Sequence, residues 1–454
     1  MNPAPGTAAV SECDYRVQVM SANPLLLDVA ATCQGRAVRG LESDDARVAS
    51  AVRSLTSDRG PVQRSENAFL LASEARRVTF RYHVDLDALA RETRTSELAL
   101  RSGESLIAPS SSFLLYPWPL DIGIPVRVTI DKPAALGFAS GLTREGDHYR
   151  LEAHEIPVST YSAFGKLKRS DVAVDAAHAR LEIVALGDVG VDFAALTRWA
   201  GERAHAVANF YGGFPAPRAS LFVVPIAGRR DVVFGNLKPE SSPGAALLIG
   251  AQAGEHELAQ DWVLVHELFH IGVPSFHAEG KWFDEGLATY FEPIIRVRAG
   301  LLDPLQAWRE FALEMPRRRR ALTHDGLEHT NEIYWGGAIF CLLADIEARR
   351  ASGGRLGLED GVRNVLRAGG NASEVWRLQK TLELADRVFE RPVLVPLWKR
   401  YAARPAALEL DAIFQELGVV RAASGITLSD TAPLAWVRRA IFEASPARTL
   451  SATR

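Results

Sequence analysis

Through the first 187 residues, apolar side chains return at every second position. Tyr15, Val17 and Val19 alternate with polar neighbours, and Leu25, Leu27 and Val29 repeat the pattern. So do Val78, Phe80, Tyr82 and Val84, then Val126, Val128 and Ile130, and later Leu181, Ile183 and Ala185. A period of two places one set of side chains on a single face of a strand, which predicts antiparallel sheets and a sandwich-like arrangement. Between the first two runs lies Ser21, Ala22, Asn23, Pro24, a turn sequence. Folding about Asn23 sets Val17 against Val29, Val19 against Leu27 and Cys13 against Cys33. Tyr116 to Pro119 reads as a rigid aromatic connector. No catalytic constellation appears in this region, so its expected role is structural or substrate-positioning.

The pattern changes near Asp192, which reads as an N-cap. Phe193, Leu196, Trp199, Val207 and Phe210 then follow at helical spacing. Leu221 to Ile226 and Ala245 to Ile249 read as buried strands, and the second is expected to pair with extended substrate as edge strands do. From about residue 350 the periodicity is mainly helical, through Val362, Val365 and Leu366 to Ile413, Phe414 and Leu417. The class predicted is α+β in three parts: a β-rich 1–187, a mixed 188–350 and a helical 351–454.

Composition narrows the function classes. A chain of 454 residues exceeds what one core supports. A formal net charge of -3 argues for neither a nucleic acid nor a membrane surface as partner. No apolar run is long enough to span a bilayer. A Cys13–Cys33 bond would mean an oxidising compartment. The first residues lack the basic start and apolar core of a signal peptide. The location expected is therefore periplasmic or secreted if a signal has been removed, and cytoplasmic otherwise. Cys341 sits in an apolar helical run and reads as core.

The chemistry concentrates at His266, Glu267, Leu268, Phe269, His270. The segment has no helix breaker, and histidines four apart project from one helical face toward one cation. Zinc suits two imidazoles, and Glu267 stands beside them as the general base for an attacking water. The flanks Val263, Leu264, Val265, Leu268 and Phe269 are apolar, so the polar residues need a partner that a solvated surface helix would not require. Glu285, fifteen positions after His270, opens a second helical run and is the expected third ligand. Thr289 and Glu292 share its face and are expected to orient the histidines. The rival ligands His277 and Glu279 fall in the intervening loop, and His277 misses the spacing of a third-histidine motif by one residue. Three protein ligands leave an open position, the catalytic arrangement, with one zinc per chain.

His266 to His270, followed by Trp282, Phe283, Asp284, Glu285 and Gly286, resembles the gluzincin zinc peptidases. Tyr334, Gly337 and Ala338 resemble the Tyr-x-x-Gly-Ala helix of the glycyl aminopeptidases, relatives of aminopeptidase N. The resemblance spans roughly 192 to 350. It implies a β domain, a thermolysin-like zinc domain and a helical domain, with zinc as cofactor and a peptide or protein as substrate. It also implies that Tyr334 steadies the oxyanion, a task a phenol near a metal suits. The spacer before Glu285 is shorter than in aminopeptidase N. The Gly-x-Met-Glu-Asn strand that holds a free amine there is missing from 233–244, where Glu240 is the candidate substitute. His324 and His329 lie near Tyr334, and His329 is the candidate for a substrate contact. Arg317 to Arg320 form a basic run suited to a solvated loop or an acidic substrate tail. The expected activity is peptide hydrolysis, first as an aminopeptidase. An endopeptidase, an epoxide or ester hydrolase on the same scaffold, and a non-catalytic peptide-binding protein are the alternatives.

Overall fold

The computed structural model describes residues 11–239, 242–317, 333–403, 409–422 and 425–443. Contacts divide the chain into two compact units. The first takes in Met1–Asp171, Glu182–Phe193 and Arg218–Gly254; the second takes in Val172–Leu181, Ala194–Pro217 and Glu255–Arg454.

The first unit is built on sheets. Strands Glu12–Ala22 and Leu25–Glu42 pair antiparallel with Val17 opposite Val29, Val19 opposite Leu27 and Cys13 opposite Cys33. The two cysteines are disulfide-bonded. These strands lie in a nine-stranded sheet. One face buries Tyr15, Val17, Leu27, Val29, Phe80, Tyr82 and Val84. The buried phenols are satisfied: Tyr15 Oη donates to Leu115 O at 2.6 Å and Tyr82 Oη to Phe113 O at 2.9 Å. The short helices α1 (Ala46–Ala51) and α2 (Leu86–Thr93) add to this core.

Several features differ from what the alternation predicts. The sheet is mixed, because Glu12–Ala22 runs parallel to Pro125–Asp131. Alternation tells which face is buried but not the direction of a distant partner. Tyr116–Trp118 is a strand paired with Leu25–Glu42, not a free connector. In Arg180–Ala185 the polar alternate Glu182 is buried with Leu181, Ile183 and Val184, and it accepts from Arg169 Nε at 2.9 Å. One face of its sheet is covered by another sheet: Val184, Phe222, Val224 and Ala246 pack with Ile107, Tyr161 and Ala163 from a four-stranded sheet.

Ala245–Ile249 belongs to strand Gly244–Gly250, which pairs parallel with Arg218–Ile226 and antiparallel with Val232–Lys238. It is an interior strand, so its edge is not open to substrate; Val232–Lys238 ends the sheet instead.

Helices dominate the second unit. In chain order they are α3 (Phe193–Tyr211), α4 (Glu255–Gln260), α5 (Val263–His270), α6 (Lys281–Arg298), α7 (Pro304–Arg317), α8 (Ile333–Ser352) and α9 (Leu358–Arg367). α3 begins directly after Asp192, where the N-cap signal placed it. Further helices occupy Leu378–Asp386, Leu394–Ala403, Leu410–Glu416 and Ala435–Phe442, and Val419–Ala422 pairs with Gly425–Leu428. The α+β class of the chain holds.

Candidate metal centre

α5 carries the histidine pair on only eight residues, too few to be stable alone. Its first turn is closed by Asp261, which accepts from the Val263 N–H at 2.9 Å and the Leu264 N–H at 3.1 Å. Burial pushes the Asp261 carboxyl up, against those two bonds and the charges of Arg203 and Arg296. The apolar side of α5 is held by aromatic rings. Phe269 lies 5.6 Å from Phe210 and 5.7 Å from Phe291, and Tyr211 Oη donates to Phe269 O at 2.7 Å. With that side fixed, His266 and His270 face the opposite way, their rings 4.9 Å apart.

α6 folds back beside α5 and brings Glu285 to both imidazoles. Glu285 Oε2 is 3.2 Å from His266 Nε2 and 3.6 Å from His270 Nε2. Ligand atoms about 2.0–2.1 Å from a tetrahedral zinc stand about 3.3–3.4 Å from one another. The two measured edges bracket that spacing. One ligand atom from each of the three residues lies within 4.8 Å of the other two, a grouping that no other set of His, Cys, Asp and Glu makes among the described residues. The donor set fits zinc in number, chemistry and size. His277 and Glu279 do not belong to the group, and Glu279 is exposed.

The electrostatics match a cation site. Burial pushes Glu285 up, but the hydrogen bonds and charges of His266 and His270 outweigh it and hold the carboxyl well below the usual range. Burial pushes His270 down, but Asp284 and Glu285 outweigh it and raise the imidazole well above its ordinary value. Two carboxylates against two imidazoles call for positive charge, which either protons or a metal ion supplies.

Asp284 was not foreseen. Its Oδ1 lies 2.8 Å from His270 Nδ1, which turns Nε2 toward Glu285. A carboxylate behind a ligating histidine fixes the ring's tautomer and orientation. The available signal was its place immediately before Glu285, at the end of α6 that must meet α5. Glu292, expected to orient the histidines, has its carboxyl group accepting from Arg296 Nη1 at 2.7 Å, one turn along α6. The seven-residue step carries it away from the histidines to a second set of charges. Thr289 is half-buried on the same helix, and the bond that orients His270 is the one to Asp284.

Tyr334, in the first turn of α8, comes to the same place. Its ring centroid is 6.1 Å from that of His266. Burial, then the charges of Glu285, Glu267 and Asp284, push its phenol up to about 12. Tyr334 therefore keeps its proton at neutral pH and remains a donor. Glu267 is half-buried on α5 between the two histidines in sequence. Glu240, His324, His329 and Arg318 to Arg320 lie outside the described residues. Cys341 is fully buried in α8, as its apolar run predicts.

No protein-family model and no curated protein matches the sequence. Solved structures do match. An aminopeptidase N family protein from Idiomarina loihiensis aligns at 16% identity and a TM-score of 0.71, over 90% of this chain and 78% of that one. An M1 zinc metallopeptidase from Deinococcus radiodurans aligns at 14% identity and a TM-score of 0.53, over 88% of this chain and 94% of that one. A mutant of an M1 zinc metallopeptidase from that organism, bound to a Tyr-Ser-Ala substrate, aligns at 13% identity and a TM-score of 0.55, over 87% and 94%. The chain has the fold of these structures, an aminopeptidase N family protein and M1 zinc metallopeptidases.

Proposed function

We propose that this chain is a zinc-dependent peptidase of the aminopeptidase kind. The observation that carries the reading is the placing of Glu285 Oε2 at 3.2 Å from His266 Nε2 and 3.6 Å from His270 Nε2, which fits two edges of a zinc tetrahedron, with the three residues grouped within 4.8 Å. When bound, zinc acidifies water and polarises a scissile carbonyl. The remaining work falls to side chains. Glu267 takes the proton of the attacking water and passes it to the leaving amine. Tyr334, still protonated at neutral pH, donates to the oxygen on which negative charge develops. Asp284 keeps His270 in the tautomer that presents Nε2 to the site.

The exopeptidase part rests on the solved structures of the same fold, one an aminopeptidase N family protein and one holding Tyr-Ser-Ala. On this reading Glu240 holds the substrate's free amine, His329 contacts the substrate, and one zinc serves each chain. The Cys13–Cys33 bond supports an oxidising compartment, periplasmic or extracellular.

The test is digestion of a peptide library with free and acetylated N-termini by the zinc-loaded protein, read by mass spectrometry beside the Glu267→Gln variant. Removal of single residues from free-amine peptides alone supports the proposal. Internal cuts in acetylated peptides would make it an endopeptidase. Absence of cutting by a protein that holds one zinc per chain would overturn the peptidase reading.

A further inference from the structure

α6 and α8 both bring residues to the metal centre, and their backbones touch beside it. A Cβ built on Gly337 would lie 2.0 Å from the Trp282 carbonyl oxygen and 2.5 Å from Gly286 Cα. A Cβ built on Gly286 would lie 2.3 Å from Gly337 Cα. These neighbours are main-chain atoms, which cannot swing aside as a long side chain can. The crossing involves functional parts of both helices. Gly286 follows Glu285 directly, and Gly337 lies one turn beyond Tyr334 on the same face.

Beyond the crossing the two helices are pinned together. Tyr290 Oη on α6 donates to Asp345 Oδ2 on α8 at 2.7 Å, in full burial. Asp345 also accepts from the Leu358 N–H at 2.8 Å and pairs with Arg349 Nε at 3.0 Å. Arg349 in turn holds Glu359 at 2.8 Å. α6 is tied at its other end by Asp284 to His270. Extra volume at the crossing is therefore expected to displace the first turn of α8, where Tyr334 sits.

We propose that Gly337 is a positioning residue for the reaction: its bare Cα, set against the Trp282–Gly286 turn, fixes how far Tyr334 stands from the metal centre. The inference rests on the zinc-peptidase reading and goes beyond it, since it assigns Tyr334's placement to a backbone contact. A methyl group needs more than about 3 Å from a carbonyl oxygen, so Gly337→Ala moves the turn by about 1 Å. A shift of that size costs up to about 100-fold in rate.

The experiment is a double-mutant cycle of Gly337→Ala and Tyr334→Phe, with kcat, KM and zinc affinity measured for each protein. The expected result is a fall of about 10- to 100-fold in kcat for Gly337→Ala, with zinc affinity unchanged and no further loss when the substitution is added to Tyr334→Phe. A purely structural glycine would give losses that multiply, or a parallel loss of zinc, and either outcome overturns the proposal. Phe340→Leu serves if the alanine variant does not fold. Its ring lies 5.2 Å from Trp282 and 6.0 Å from Phe283 at the same crossing, and loosening it must also be non-additive with Tyr334→Phe. If the wild type cleaves no peptide, the peptidase reading fails on its own. The same cycle is then read from the Kd of leucine hydroxamate, where additive weakening overturns the crossing and shared weakening supports it.

Discussion

The Cys13–Cys33 hairpin and the α5–α6 metal centre are two ways of bringing reactive side chains together. In the hairpin the partners are 20 residues apart and the two strands between them obey one period. Beyond a one-residue shift between Val19 and Ser21 the register runs unbroken, with Val17 opposite Val29 and Cys13 opposite Cys33. In the metal centre, helices meet across a loop, and no period runs through the junction. What fixes the meeting is burial behind α5, one carboxylate behind His270 and a backbone contact between α6 and α8. Where a local pattern sets the geometry, sequence leads to atom pairs. Where distant packing sets it, sequence leads to the ligands and stops short of their supports.

The sharpest break separates chemistry from assembly within the metal centre. Glu267→Gln is expected to lower kcat by about 10²–10⁴ while zinc affinity stays near wild type. Zinc lost together with activity would mean that Glu267 is part of the scaffold. The corresponding break in the hairpin is the double variant Cys13→Ser with Cys33→Ser. Closing a loop of this size stabilises a unit by about 3 kcal/mol. Calorimetry should therefore show the first unit melting earlier, with kcat and zinc content unmoved. An unchanged transition would mean that strand pairing holds the hairpin without the bond.

A smaller effect tests the supports directly. Asp284→Ala removes the acceptor behind His270 Nδ1, and the expected loss is about 10- to 100-fold in zinc affinity. Asp284→Asn keeps an acceptor oxygen and should lose less. Thr289→Ala should change zinc affinity little, and equal losses at both positions would restore the orienting role first expected of Thr289.

These differences mark how far the sequence carried. His266, His270 and Glu285 were legible because a helix places four-residue neighbours on one face and the metal demands a third donor. Tyr334 came from its resemblance to a family helix, and the structure brings it to 6.1 Å from His266. Asp284 was hidden in plain view, since a carboxylate beside a ligand has no distinctive spacing. Gly337 carried no signal beyond a motif letter, because a close backbone approach shows itself only in three dimensions. The same holds for strand Gly244–Gly250. Its apolar run was legible, but the strand Val232–Lys238 that covers its edge was not. Arg180–Ala185 shows the converse: the charge of Glu182 mimicked an exposed position that Arg169 and Arg218 in fact neutralise.

Glu292 gives the smallest effect and the finest test of the contrast. It was expected to serve the histidines and instead belongs to a buried charge cluster. Burial raises its carboxyl to about 8, against the attraction of Arg296 and with the charges of Glu310 and Asp261 adding to the rise. The folded protein therefore binds a proton at Glu292 that the unfolded chain releases above its ordinary value of 4.5. The stabilisation from this group is fully present below 4.5 and is lost as pH rises through about 8. An amide at this position cannot ionise, so the stability of Glu292→Gln relative to wild type should grow across that window and level off above it. The midpoint of the second unit should move by roughly 2–4 °C for each kcal/mol gained. Zinc affinity should stay constant throughout, because the carboxylate bonds Arg296 and not a histidine. A pH-independent difference in midpoint would remove the buried-acid account. A fall in zinc affinity would return Glu292 to the metal centre and erase the distinction between ligand helix and support.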